Sequence, residues 1–368
     1  MTQTNKINFI DISVHNRNIK SIQEEIDFTQ HSLGYLNFLQ DNINPTIIRF
    51  GAVLETKDNY RLYRYSIQDL ILMYRFFKSQ EPTVALFHGF SFPFRFVFLK
   101  LLLGSNVQWI IQHHAGHPSR NPLKRWIQKM TYRLADRYMF VSKAQAQPFV
   151  EVGIIQSASL VAEIMECSTP FQLKDKVVCR NALGIPNDVL FFIWVGDLDA
   201  NKDPMCMLKA LSLYQKNGND FQLHLFYVET ELLASMKQFV TEQQLEEHVV
   251  FHGKIANPLL ENWFNAADVY LSCSHSEGSG IALAEAMACG CFPIVSNIPS
   301  FVQMTVNGKS GLLFEKGNSE SLYEKLKQLD TLDLANERWK TNQTFQKELS
   351  FEAIGIKTSE LIQSLYSR

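Results

Sequence analysis

Two carboxylates and a glycine-rich turn are the residues best equipped to do chemistry. The run Ser274-His-Ser-Glu277-Gly278-Ser279-Gly280-Ile281 leads into Ala-Leu-Ala-Glu285-Ala-Met-Ala, whose apolar character marks a buried helix. Glycines where a strand yields to a helix let a ligand approach the backbone. The first-turn N–H groups are donors with partial positive charge, so a phosphate can be held there. Ordinary helix capping would satisfy the same glycines, and a solvated loop would satisfy Glu277. Glu285, between Ala284 and Ala286, needs a partner: a ligand or a structural salt bridge. The pair fits a glycoside hydrolase poorly. If residues 277–285 were helical throughout, they would be separated by about 12 Å of rise, against about 5–5.5 Å in retaining and about 6.5–9.5 Å in inverting hydrolases. Two carboxylates serving two parts of one extended ligand is the better reading.

Histidines form a second candidate set. Phe87-His88-Gly89 and Gln112-His113-His114-Ala115-Gly116-His117 each follow an apolar run. Metal binding by His113, His114 and His117 competes with hydrogen-bonding roles, but no flanking carboxylate or cysteine completes a ligand set, so no metal is expected. His88 is equally compatible with lining a ligand site and with a structural place under a sheet. The cysteines (Cys167, Cys179, Cys206, Cys273, Cys289, Cys291) contain no CxxC pair. Cys289-Gly-Cys291 reads as small buried residues between helix and strand, and reduced thiols are expected.

Composition bounds what surrounds these residues. At roughly 150 residues per domain, 368 residues suggest two domains. Hydrophobic residues at 46% against 20% charged support a substantial core and exclude a disordered chain. A net charge of −2 offers no footprint for nucleic acid, and none is expected as a partner. The N-terminal MTQTNKINFI lacks a long apolar region, so no secretory leader is expected. The greasiest stretch, SFPFRFVFLKLLLG, is interrupted by Arg95 and Lys100 and is too short to span a bilayer. A cytoplasmic protein is expected.

Short β-branched or aromatic runs alternate with helical patterns. Strands are expected at 7–13, 46–50, 84–88, 107–113 and 138–142, then at 190–196, 222–228, 269–273 and 292–296. Helical windows lie at 122–135, 204–217, 229–246, 280–289 and 319–329. Continuous apolar strands between helices imply parallel sheets covered on both faces, an α/β architecture with right-handed crossovers. The pattern loosens between 150 and 185, where a second sheet would begin. Residues 121–138 form an amphipathic candidate helix. Leu123, Trp126, Ile127, Met130 and Leu134 fall on one stripe, and Lys124, Arg125, Lys129, Arg133 and Arg137 largely on the other. A packed helix with a solvated basic face is the favoured reading, and peripheral contact with an anionic membrane at its inner face is the alternative.

With these residues in place, EGSGIALAEAMACGCFPIVSNI (277–298) resembles the E-x7-E signature of retaining GT-B glycosyltransferases of the family 4 type. WVGDLDANKDP (194–204), FHGKI (251–255), NAADVYLSCSHSEG (265–278), NGKSGLLFEKGNSESL (307–322) and LADRYMFVSKAQ (134–145) extend the resemblance in order over roughly residues 105–330. The resemblance implies two facing Rossmann-like domains with a cleft between them. An acceptor-side domain would take residues 1–165 and a nucleotide-sugar domain residues 166–350. A last helix within 351–368 would cross back. It also implies that Glu277 contacts the donor sugar, Glu285 holds the ribose hydroxyls, and backbone amides at Gly280 and Ile281 meet the diphosphate. Gly278, Ser279 and Gly253 join that binding set. Lys202 matches the family's phosphate-binding lysine, where a cation stabilises the departing nucleoside diphosphate without a metal. His114 is the match to a histidine beside the anomeric carbon, with His113 or His117 as shifted alternatives. The resemblance would put His88 on the acceptor side.

Three positions depart from the family. Asp197 stands where an arginine is usual in the loop before Lys202, and Val14-His-Asn-Arg-Asn18 replaces a glycine pair after the first strand. Gln303 replaces a glutamate before the Asn307-Gly308 turn. Arg17 is a candidate replacement cation. The expected function is metal-independent, retaining transfer of a sugar from a nucleotide-diphospho-sugar to a saccharide or lipid-linked saccharide hydroxyl, with no cofactor. A GT-B protein that binds without transferring is the alternative, Asp197 being its best argument. A sugar-nucleotide epimerase fits the motifs less well.

Overall fold

The computed structural model describes residues 6–14, 19–64, 66–79, 83–114 and 116–366. Arg17 lies outside them. The chain separates into two compact units, one made of Met1–Cys167 with Phe351–Arg368 and the other of Ser168–Ser350.

In the first unit the strands are β1 (Ile7–Ser13), β2 (Ile43–Phe50), β3 (Glu55–Lys57), β4 (Tyr60–Tyr63), β5 (Thr83–His88), β6 (Val107–Gln112), β7 (Arg137–Phe140) and β8 (Val161–Glu163). Their order across the sheet is β3-β4-β2-β1-β5-β6-β7-β8, parallel except for the β3–β4 pair. All six residues of β5 are buried, as its unbroken apolar run requires of a central strand. The helix Phe351–Ser364 packs on this unit. Ser359 Oγ accepts the Gln40 N–H at 3.1 Å, and a Cβ on Gly355 would come within 2.7 Å of the Phe38 carbonyl oxygen, so only glycine permits the approach.

The second unit contains β9 (Phe191–Val195), β10 (Gln222–Phe226), β11 (Val249–Gly253), β12 (Val269–Ser272), β13 (Phe292–Ser296) and β14 (Leu312–Phe314). All are parallel in the order β11-β10-β9-β12-β13-β14, a doubly wound Rossmann sheet whose direction reverses beside β9. The amino end of β9 is fixed by a buried ion pair. Arg180 donates to Asp268 Oδ2 at 2.6 Å and to the Ala266, Pro186, Asn187 and Val189 carbonyls. The same carboxylate oxygen accepts the Phe191 N–H at 2.9 Å.

Two expectations need correction. Strands β3, β4, β8, β11 and β14 were absent from the pattern; all but β4 are edge strands, and β4 is a four-residue strand between β3 and β2. They are short, three to five residues, and in β3, β4 and β8 a charged residue interrupts the apolar run. The helix expected over 121–138 is Pro122–Tyr132. Asn121 caps it by accepting the Leu123 and Lys124 N–H groups, while the Tyr132 carbonyl accepts the Tyr138 hydroxyl at 2.8 Å and closes the helix before β7. Arg137 belongs to the strand.

Because Arg180 is almost wholly buried, Arg180→Met leaves Asp268 with only the partly exposed Lys176 as a cation and strands the Ala266, Pro186, Asn187 and Val189 carbonyls. It should cost about 3–5 kcal/mol in urea denaturation. A loss under about 1 kcal/mol would mean the pair does not anchor β9.

Candidate functional site

Where a doubly wound sheet reverses, the loops at the carboxyl ends of the two neighbouring strands diverge and leave room for a ligand. In the second unit those strands are β9 and β12, and their loops carry Lys202 and Glu277. The β9 loop turns on itself as Asp199 Oδ1 accepts the Lys202 N–H at 2.8 Å. Lys202 Nζ then reaches Glu277 Oε1 at 2.5 Å, and the Ser274 hydroxyl donates to the same oxygen at 2.6 Å. Asn201 Nδ2 donates to the Ser276 carbonyl at 3.1 Å, and His275 Nε2 lies 3.1 Å from Asp203 Oδ2. The two loops are thus tied by side chains from both, with Lys202 and Glu277 half-buried.

From Glu277 the chain runs through Gly278 and Ser279 to Gly280, which has φ 68° and precedes the helix Ile281–Ala288. A Cβ on Gly280 would lie 2.8 Å from the Phe301 ring, so both backbone and space demand glycine. The segment 277–280 is not helical, so the all-helical separation of the two glutamates does not apply.

Glu285 sits on that helix at 3% exposure. Its Oε1 accepts from Asn257 Nδ2 at 2.8 Å, and among the described residues no cation pairs with it. Burial pushes its pKa up from 4.5 to about 7, only partly offset by Asn257. A structural salt bridge is therefore not its explanation. Gly253 ends β11 with φ 73°, upstream of Asn257. Asn257 was missed in the sequence; its signal was a position opening a helix after FHGKI.

Asp197 has a structural employment. Its Oδ1 accepts the Glu229 N–H at 3.2 Å while the Leu198 N–H bonds the Glu229 carbonyl at 3.1 Å, pinning the loop after β10.

In the first unit a chain of ionisable groups runs from β1 to the segment after β8. Glu25 Oε1 accepts from Arg49 Nε at 2.7 Å, and Arg49 Nη1 reaches Asp11 Oδ1 at 2.6 Å. His88 Nε2 lies 2.9 Å from Asp11, His88 Nδ1 2.9 Å from His114 Nε2, and His114 Nδ1 2.5 Å from Glu166 Oε2. Burial alone would raise the Asp11 pKa; the positive field and hydrogen bonds of His88 and Arg49 outweigh it and hold the carboxyl well below the usual carboxylate range. Burial lowers the His88 pKa, with Asp11 opposing. A neutral His88 that donates to Asp11 must accept from His114, so the three contacts from Asp11 to Glu166 hold three protons in series. Both ring nitrogens of His114 are engaged, and a substrate hydroxyl would have to exchange one of them. A cavity of about 300 Å³ adjoins Glu25, Arg49, His88 and His114.

Sequence reasoning brought forward His88 and His114 but not Asp11, Arg49, Glu25 or Glu166. Asp11 and Arg49 had a signal, a charge inside an apolar strand; Glu166 had none. His113 is occupied otherwise, stacked on Phe140 at 4.5 Å with Nε2 3.2 Å from the Gly116 carbonyl. Among the described residues no group of three or more His, Cys, Asp or Glu is placed to hold a metal ion.

Comparison with known proteins bears on both units. Residues 176–344, inside the second unit, match the family model for glycosyl transferases group 1. Over the whole chain, the solved glycosyltransferase of Rickettsia africae superposes with a TM-score of 0.71 at 15% identity, covering 99% of this chain and 100% of that one. HepE from Anabaena, solved with UDP and glucose, superposes with a TM-score of 0.70 at 14% identity, covering 97% and 99%. The fold is GT-B. Its two Rossmann-like parts are the two units described above. In sequence, the D-inositol 3-phosphate glycosyltransferase of Arthrobacter sp. is 26% identical over 139 residues, which is 37% of this chain and 33% of that protein. The GDP-mannose:cellobiosyl-diphosphopolyprenol alpha-mannosyltransferase of Xanthomonas oryzae is 25% identical over 138 residues, 37% of this chain and 36% of that protein. The chain therefore spans about a third of the length of these curated relatives.

Glu285 gives a pH test. The folded chain keeps a proton on Glu285 between pH 4.5 and about 7, an interval in which the unfolded chain has lost it, so stability falls as pH rises across that window. Glu285→Gln should remove this slope and stabilise the ligand-free protein at pH 8 by about 3 kcal/mol in urea denaturation. An unchanged slope would contradict the burial argument.

Proposed function

We propose that this GT-B chain is a metal-independent, retaining glycosyltransferase. It would move a sugar from a nucleotide-diphospho-sugar to a hydroxyl of a saccharide or lipid-linked saccharide. The observation that supports the reading most is the Lys202–Glu277 contact at the strand-order reversal, backed by a glycine-started helix that carries the buried Glu285.

In this reading the donor diphosphate lies over the helix opening at Gly280 and Ile281, and Gly253, Gly278 and Ser279 line its approach. Lys202 turns from Glu277 to the diphosphate, where it offsets the charge that grows as the bond from C1 to the phosphate oxygen breaks. Glu277, released from the lysine, accepts hydrogen bonds from the sugar hydroxyls. The ribose diol donates to Glu285, which favours its ionised form and offsets the cost of burying it. The acceptor oxygen attacks C1 on the face that the phosphate leaves, and its proton passes to the departing phosphate oxygen. Configuration at C1 is thereby retained. His114 supports charge developing on the sugar, with its ring orientation fixed by His88 and Glu166. Asp197 does not oppose the donor in this scheme, since its carboxylate is committed to the Glu229 amide.

Purified protein incubated with UDP-, GDP- and ADP-sugars should release nucleoside diphosphate from one class equally with and without EDTA. Strict dependence on a divalent ion would overturn the metal-free mechanism. Intact nucleotide binding without release, given saccharide acceptors, would favour the binding-subunit reading. Glu285→Ala should weaken donor binding at least about tenfold, roughly 1.4 kcal/mol. His114→Ala should spare binding and slow transfer by about a hundredfold. Unchanged binding and rate in both variants would remove these roles.

A further inference from the structure

The three helices Ile67–Lys78, Pro93–Leu103 and Pro122–Tyr132 link β4 to β5, β5 to β6 and β6 to β7. All three connections step in the same direction along the sheet, so right-handed crossovers lay them side by side on one face, where neighbouring members touch. Their outward sides are apolar in a way that packing within the unit does not account for. Phe94, Phe98 and Leu101 recur at spacings of four and three on the middle helix, and Leu123, Trp126 and Met130 at three and four on the last. All are exposed, Leu101 to 78% and Trp126 to 59%. Ile67 and Ile71 continue the stripe on the first helix. Scattered exposed leucines need no explanation, but aligned stripes on adjacent helices form a contiguous patch of the kind that meets a partner.

Charge identifies that partner. The same three helices carry Arg75 and Lys78, Arg95 and Lys100, and Lys124, Arg125 and Lys129. Their one carboxylate, Asp69, is buried and bound to Arg64. Among the described residues none of Arg75, Lys78, Lys100, Lys124, Arg125 and Lys129 has an ion pair. This is a local excess, because the whole chain carries a net charge of −2. The helix Ile22–Leu33, on the opposite side of the sheet, has Glu24, Glu25 and Asp27 and no Lys or Arg. Apolar stripes flanked by long cationic side chains suit a headgroup boundary, where the rings and leucines enter the acyl region and the cations reach anionic phosphates. A second copy of this chain would bring cations against cations. No helix among the described residues is long and apolar enough to cross a membrane, so contact would be in the plane of the surface. A cavity of about 560 Å³ between the middle and last helices, lined in part by Phe94, Ile127 and Lys124, adjoins the face.

We propose that the outward face of these three helices docks this unit on the surface of an anionic phospholipid bilayer. The proposal stands apart from the sugar-transfer reading and does not depend on it.

Co-sedimentation of the full chain with phosphatidylcholine vesicles, with and without phosphatidylglycerol, tests it. Partitioning should be at least about tenfold stronger to the anionic vesicles and should fall steeply at 0.5 M salt. Trp126 emission should shift to the blue on binding, and Trp126→Phe should abolish most of the shift. Phe98→Ser combined with Leu101→Ser should lose binding to both vesicle types, and Lys124→Glu combined with Lys129→Glu should lose only the anionic preference. Thermal unfolding checks that each variant is folded. Equal partitioning to neutral and anionic vesicles would overturn the proposal. So would binding that survives both sets of substitutions in folded protein. A solution dimer that the apolar substitutions dissociate would overturn it in favour of a second copy.

Discussion

Lys202 and Glu277 meet only because the order of the second sheet reverses beside β9. Strands β9 and β12 are distant in sequence and adjacent in space, and helices leave them in opposite senses. Their two loops therefore face each other, each carrying one half of an ion pair. Arg180 and Asp268 fix the amino end of β9, and Asp197 fixes the loop beyond β10. Gly280 permits the turn that starts the helix behind Glu277. Each of these features holds the two loops at one separation, and the chemistry proposed for the site needs that separation.

A second constraint is that charge removed from water must be paired. The first unit obeys it along a continuous path, Glu25–Arg49–Asp11–His88–His114–Glu166, in which every group has a partner. Glu285 departs from it, buried with one amide and, among the described residues, no cation. A protein keeps such an arrangement at a cost in stability, and function is the usual reason. The ribose diol proposed here is the group that would complete it.

Most central strands of both sheets were legible in the sequence, and so was the glycine-marked junction that carries Glu277 and Glu285. Strand β5 opens with five apolar or β-branched residues in succession, and the turn from Glu277 to Gly280 announces a strand-to-helix junction by its glycines. The short edge strands and β4 were not legible, because runs of three to five residues, several broken by a charge, carry little pattern. The helix end at Tyr132 was not either, since it depends on a tertiary bond from Tyr138. Within the site, Lys202 could be named only through resemblance, because a lysine after a strand is ordinarily surface. Asn257 had only its place at the start of a helix after FHGKI, and Glu166 had no signal at all. Their roles arise from which segments the sheets bring together, and pairing across long sequence separations leaves no local pattern.

In the proposed reading Lys202 is held by Glu277 until a donor diphosphate takes it. Calorimetric titration of nucleoside diphosphate into wild type, Glu277→Gln and Lys202→Ala measures this directly. If the claim holds, Glu277→Gln binds free nucleoside diphosphate several-fold more tightly, because the lysine no longer leaves an ion pair, while Lys202→Ala binds at least about tenfold more weakly. Affinity unchanged in Lys202→Ala, or weakened equally in both variants, would contradict it.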